Sequence, residues 1–153
     1  MSRVYVALGA NLGDREATIR AALAELDAVP GVRVVAVSSL VETDPVGYVD
    51  QPAFLNGAAA LETTLAPREL LDLLLAVERR FGRDREGAPP QGPRSLDLDL
   101  VLYESAEIDE PGLTVPHPRL HERRFVLAPL SELDPSLEVP GKGEIQTLLA
   151  ELH

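Results

Sequence analysis

Residues 95–103 run Ser95-Leu96-Asp97-Leu98-Asp99-Leu100-Val101-Leu102-Tyr103. Leu96, Leu98, Leu100 and Leu102 occupy one set of alternate positions, and Asp97, Asp99, Val101 and Tyr103 the other. Successive side chains of a strand point to opposite faces, so this stretch predicts a strand with one buried leucine face. Upstream, Pro67 suits the first helical position, and Leu70, Leu71, Leu74, Leu75, Val77 and Phe81 form a helical stripe ending at Gly82. Between this helix and the strand, Asp84 to Pro93 holds two Gly and three Pro and reads as an exposed loop. Further back, Leu55 to Leu65 and the β-branched run Val32 to Val41 read as antiparallel strands, joined through a loop from Thr43 to Pro52. Arg3 to Gly9 reads as a buried strand. After it, Gly9-Ala10-Asn11-Leu12-Gly13-Asp14 is a turn whose glycines suit positive φ and whose Asp14 suits a helix cap. Ile19, Ala22, Leu23 and Leu26 give that helix its apolar face, which stops before Pro30-Gly31. Two further helices are expected, from beyond Pro118 through Phe125 to Leu133, and from Ile145 to Leu152. The order strand, helix, strand, strand, helix, strand predicts an α+β sandwich of the ferredoxin-like, split βαβ kind, its helices packed on an antiparallel sheet.

The chain has 153 residues and no cysteine, so it suits one domain and holds neither a disulfide framework nor a thiolate metal site. No apolar run approaches the roughly 20 residues that span a bilayer, and the start lacks a signal-peptide pattern. A soluble, cytoplasmic monomer is expected. Fourteen basic against 25 acidic residues give a net charge of −11, which disfavours nucleic acid and anionic membranes as partners. The cations are nevertheless gathered: Arg79, Arg80, Arg83, Arg85, Arg94, Arg119, Arg123 and Arg124 lie within one third of the chain. A local arginine cluster on an acidic body points to a small anionic ligand, because the guanidinium fork grips phosphate with two hydrogen bonds.

Asp97 and Asp99, two apart on a strand, stand side by side. Two such carboxylates repel unless a cation lies between them, and Mg²⁺ suits the pair because it completes its shell with water and phosphate. Alternating Asp is also ordinary on a solvent-open sheet face. Arg94, three residues before Asp97, favours the metal reading, since carboxylate-held metal opposite Arg is what phosphoryl transfer needs. The loop from Arg83 to Arg94 has the composition of a lid, and Arg83, Arg85 and Arg94 could close over a polyphosphate, although for Arg85 alone a solvated linker is the better reading. His117, between Pro116 and Pro118, could donate to a phosphate oxygen or serve only structure. Among six aromatics, Phe54 and Phe125 could sandwich a planar heterocycle, with the Asn56 amide at its edge. Composition favours both rings in the core. The Gly9-to-Gly13 turn lacks the spacing of a nucleotide-binding loop and reads as structural.

These segments together resemble the 6-hydroxymethyl-7,8-dihydropterin pyrophosphokinases of folate biosynthesis. The resemblance runs nearly end to end, through the Gly9-to-Gly13 turn, Gln51-Pro52-Ala53-Phe54-Leu55-Asn56, the Gly92-Pro93-Arg94 and Asp97-Leu98-Asp99 stretch, and Val115-Pro116-His117-Pro118-Arg119. It implies that residues 1–153 form a single pyrophosphokinase domain that transfers pyrophosphate from ATP to the pterin hydroxymethyl group and releases AMP. It implies two Mg²⁺ ions on Asp97 and Asp99, with Arg83 and Arg94 assisting transfer. Glu78, Arg85, Leu100, Thr114, His117 and Arg123, together with Arg94, would contact ATP, and Thr43, Pro45, Val46, Phe54, Asn56 and Phe125 the pterin. Gln91 stands where members often carry Trp, which bears on lid closure. Two rivals stand beside this reading: a non-catalytic nucleotide or pterin sensor, against which Asp97 and Asp99 argue, and a kinase moving only the γ-phosphate, which the residues alone do not exclude. The nucleotide product, AMP or ADP, separates all three.

Overall fold

The computed structural model describes residues 1–43, 53–81 and 96–152. Four strands, β1 (Ser2–Ala10), β2 (Val32–Val37), β4 (Phe54–Thr63) and β5 (Asp97–Tyr103), lie in the order β2-β4-β1-β5, and short β3 (Val41–Thr43) also pairs with β4. Every pairing in this sheet is antiparallel. Helices α1 (Arg15–Asp27) and α2 (Pro67–Arg80) make the two crossovers, which is the split βαβ arrangement. Asp14 caps α1 by accepting from the Ala17 N–H at 3.1 Å, and Pro67 opens α2.

The sheet has two covered faces. On one, Val4, Val6, Leu8, Leu98 and Leu100 pack with Ile19, Leu23 and Leu26 of α1 and Leu70, Leu74 and Val77 of α2. On the other, Tyr5, Ala58, Ala60 and Leu102 pack with Leu120, with Val126, Leu127 and Leu130 of α3 (Arg124–Leu133), and with Ile145 and Leu148 of α4 (Ile145–Ala150). The buried leucines settle which way β5 faces. Slipping it by one residue would expose Leu96, Leu98 and Leu100 at about 1.5–3 kcal/mol each, before any cost of burying two carboxylates.

Three expectations need correction. The run from Val32 to Val41 is two strands, not one: at residue 38 the chain leaves the β2 line, and the Ser38 hydroxyl accepts from the Ala58 N–H at 2.8 Å. Gly57 on the neighbouring strand leaves room for this step, since a Cβ there would meet Leu40 Cδ2 at 2.7 Å. The strict alternation of β5 also breaks. Its register against β1 shifts between Tyr5 and Val6, so Val101 is an extra residue and Leu102 faces α3 instead of the first core. In the turn after β1, Gly13 has a φ of 63°, whereas Gly9 is not among the positive-φ residues. Two hairpins were not expected: β6 (Ile108–Glu110) with β7 (Leu113–Val115), and β8 (Glu138–Val139) with β9 (Gly143–Glu144).

Candidate active site

The second sheet face turns polar where the strands run toward the start of α1. Gly9 pairs with Asn56 on one side and with Asp97 on the other, so Asn56, Gly9 and Asp97 form a row across β4, β1 and β5. Ala58, Ala7 and Asp99 form the next row. Both central positions are small. A Cβ on Gly9 would meet Asn56 Oδ1 at 3.0 Å and Asp97 Cβ at 3.8 Å, which places the amide and the carboxylate on either side of the same hollow. Asp97 and Asp99 are both partly exposed, on the same face, and fixed from behind by buried Leu96, Leu98 and Leu100.

Glu78 secures this strand from its open side. It lies in the last turn of α2, fully buried, and its Oε2 accepts from the Leu98 N–H at 2.7 Å. Leu98 stands between the two aspartates, so the bond holds the main chain at the midpoint of the pair. A buried carboxylate on a backbone N–H is a charge-assisted bond, roughly twice as strong as a neutral one. Leu100, expected near the nucleotide, has its side chain in the first core, which leaves its main chain as the part that can face a ligand.

On the far side of β5 the chain returns as β7 and the segment that follows it. The His117 N–H donates to the Val101 carbonyl at 3.0 Å, which ties this segment to β5. His117 Nδ1 accepts from the Arg119 N–H at 3.3 Å, the tautomer whose Nε2 carries the proton. Burial holds the imidazole below its ordinary pKa, and the charge of Arg123 and, less, of Arg119 adds to the effect, while Asp97 opposes it. The ring is therefore neutral near pH 7, with Nε2–H free to donate. The same interactions show that Asp97, His117 and Arg123 share one electrostatic neighbourhood. Arg123, at the start of α3, lies over the Phe125 ring, 5.7 Å from guanidinium carbon to centroid. Thr114 is exposed on β7.

Thr43 and Phe54 are direct partners across β3 and β4, and the Asn56 amide donates to the Thr43 hydroxyl. Phe125 packs half-buried against the second core. Neither Phe54 nor Phe125 is fully buried, and Phe54 shares its strand face with Asn56. Pro45, Val46, Arg83, Arg85 and Arg94 lie outside the described residues. By sequence alone Gly9 belongs to a structural turn. Its spacing carries no functional signal, because its smallness serves residues on two other strands.

Among the described residues no group of three or more His, Asp or Glu side chains is arranged to hold a metal ion, and no helix is long and apolar enough to cross a membrane. Asp97 and Asp99 nonetheless offer two adjacent oxygen donors, the number that Mg²⁺ takes from protein when phosphate and water complete its shell.

Residues 5–135 match the family model described as 7,8-dihydro-6-hydroxymethylpterin-pyrophosphokinase. The chain is 48% identical over 150 residues to a 2-amino-4-hydroxy-6-hydroxymethyldihydropteridine pyrophosphokinase of Pseudomonas aeruginosa, covering 98% of this chain and 91% of the relative. A protein of the same description from Bacillus subtilis is 50% identical over 134 residues, covering 88% of this chain and 79% of that one. In three dimensions the chain is similar to a crystal structure of Plasmodium falciparum HPPK-DHPS, with a TM-score of 0.71 at 12% identity, over 99% of this chain and 43% of that one.

Proposed function

Because this chain belongs to the 7,8-dihydro-6-hydroxymethylpterin-pyrophosphokinase family, an ATP-dependent pyrophosphoryl transferase of folate biosynthesis, we propose that the face bearing Asn56, Gly9, Asp97 and Asp99 is where its transfer occurs. The paired carboxylates of Asp97 and Asp99 carry this reading. They would hold two Mg²⁺ ions against the ATP phosphates; bound there, the ions neutralise phosphate charge and lower the pKa of the attacking alcohol.

The chain's own residues do the rest. Thr43, Pro45, Val46 and Asn56 bind the pterin edge, and Phe54 and Phe125 stack on its ring, so the hydroxymethyl oxygen lies beside the carboxylate pair. Neutral His117 donates from Nε2 to a phosphate oxygen. Arg123 holds negative charge nearby, while Arg85, Thr114 and the Leu100 main chain complete the nucleotide side; Glu78, buried, supports that side only through its bond to the Leu98 N–H. Arg83 and Arg94 assist transfer, a role that rests on their place in the sequence pattern. The hydroxymethyl oxygen forms a bond to the β-phosphorus and gives up its proton to water, the bond from that phosphorus to the α,β-bridging oxygen breaks, and AMP leaves in line. Residues 1–153 act as one domain, monomeric and cytoplasmic, on small-molecule substrates.

The experiment is to incubate the protein with ATP, Mg²⁺ and 6-hydroxymethyl-7,8-dihydropterin and to identify the nucleotide product. AMP is expected, and Asp97→Ala should abolish its release. ADP would make the protein a γ-phosphate kinase. Full Mg²⁺-dependent activity in Asp97→Ala would remove Asp97 from the metal site.

A further inference from the structure

Arg15 is the first residue of α1, and its position is set by the cap before it. Asp14 accepts from the Ala17 N–H through its side chain at 3.1 Å, and from the Thr18 N–H through its carbonyl at 3.0 Å. From that fixed start the Arg15 guanidinium reaches two strands at once. Nη1 donates to the Ala53 carbonyl at 2.8 Å, and Nη2 donates to Glu42 Oε1. Glu42 immediately precedes Thr43, the last residue of β3, and Ala53 immediately precedes Phe54, the first of β4. Thr43 and Phe54 are the terminal pair of that ladder. One planar fork therefore spans the two strands where the residues assigned to pterin stand.

We infer that Arg15 is a positioning residue for the pterin half of the site. It acts through the main chain at residues 42–43 and 53–54 and touches neither substrate, an inference that rests on the site assignment above. A stability role alone is a poor account of the contact. The Glu42 side chain is 63% exposed, and ion pairs so placed contribute little to folding. Geometry is where the fork acts. It fixes the spacing of two strand ends that carry Thr43 and Phe54, and Asn56, which donates to Thr43, depends on the same spacing. Lysine could keep the ion pair but not both directed bonds, since its ammonium is a point charge on a flexible stem.

The test compares the wild type with Arg15→Ala, Arg15→Lys and Glu42→Gln. It reads kcat, KM for each substrate, thermal midpoint, and pterin affinity by equilibrium titration with a non-hydrolysable ATP analogue present. Arg15→Ala should raise KM and Kd for the pterin about tenfold, the scale of one lost hydrogen bond, with KM for ATP within about twofold. Arg15→Lys should recover only part of the loss, and Glu42→Gln should show a smaller shift of the same kind. If Arg15→Ala does not fold, the other two carry the same comparison. Unchanged pterin constants, a parallel shift in both substrates, or full rescue by Lys would each overturn the inference. A wild type that releases no AMP would instead overturn the site assignment, which keeps the two failures apart.

Discussion

Substituting Gly9 by Ala tests the row across the sheet more directly than removing any charged group, because it adds one methyl and deletes nothing. The added Cβ would stand 3.0 Å from Asn56 Oδ1, 3.8 Å from Asp97 Cβ and 3.9 Å from the Leu55 carbonyl. Ordinary contact starts near 3.4 Å, so the amide must retreat by several tenths of an ångström. Its donation to the Thr43 hydroxyl opposes that movement. The cost to folding has two parts of opposite sign. Ala in a strand is favoured over Gly by about 0.5–1 kcal/mol, whereas overpacking costs about 1–3 kcal/mol. The net loss should be at most about 2.5 kcal/mol, or up to roughly 10 °C of thermal midpoint for a domain of this size. Binding has no such compensation, since the methyl enters the hollow between the amide and the carboxylate. Displacing Asn56 should weaken the pterin about tenfold through one hydrogen bond, and a misplaced hydroxymethyl group should cost about another hundredfold in kcat. Circular dichroism melting, pterin titration and AMP release measure the three quantities. A folded Gly9→Ala with wild-type pterin affinity and turnover would refute the placement of the reaction on this row.

Glu78→Ala leaves the buried Leu98 N–H without its acceptor and should lower stability by about 2–4 kcal/mol in urea unfolding. Glu78→Gln keeps an acceptor and should lose less than half of that; equal losses would show that the bond to Leu98 is not what matters. His117 has a folded pKa below its ordinary value of about 6.5. Between the two values the unfolded chain binds more protons, so stability falls as pH drops through that window. From pH 7.5 to 5 the metal-free wild type should therefore lose more thermal midpoint than His117→Gln, and parallel curves would contradict the assignment. Phe54→Ala should raise KM for the pterin about tenfold, near the top of the range for one aromatic pair, while leaving KM for ATP within about twofold. Equal shifts in both would return Phe54 to a packing role.

What could be read from the chain, and what could not, divides along a physical line. The Asp97 and Asp99 face was legible because a period of two is a local property, and the leucines between them had to be buried. Asp14 as a cap and Pro67 as a helix start were legible for the same reason. The break at residues 38–40 was not, because Val32 to Val41 holds no Gly or Pro; the step depends on Gly57 and the Ala58 N–H of another strand. Leu102 was assigned to the wrong face because the shift that turns it is set by pairing with β1. The two missed hairpins did carry a signal. Pro111-Gly112 and Pro140-Gly141 sit between their strands, with φ of 76° and 75° at the glycines, and each run is too short to show a period. In the site, charged and aromatic candidates were visible by type, whereas Gly9 and Arg15 act through neighbours that only the folded chain supplies.

The additional residue in β5 does more than turn Leu102. Without Val101, the remaining sequence Asp97-Leu98-Asp99-Leu100-Leu102-Tyr103 would alternate regularly and send every one of these side chains to the face it already occupies. The inserted Val101 side chain is itself buried in the second core, beside Leu102. Its main chain adds a carbonyl that receives His117. Shortening the strand by that single position would open a hole in the second core and cast the imidazole adrift, so a flaw in the weave serves at once as filling and as mooring.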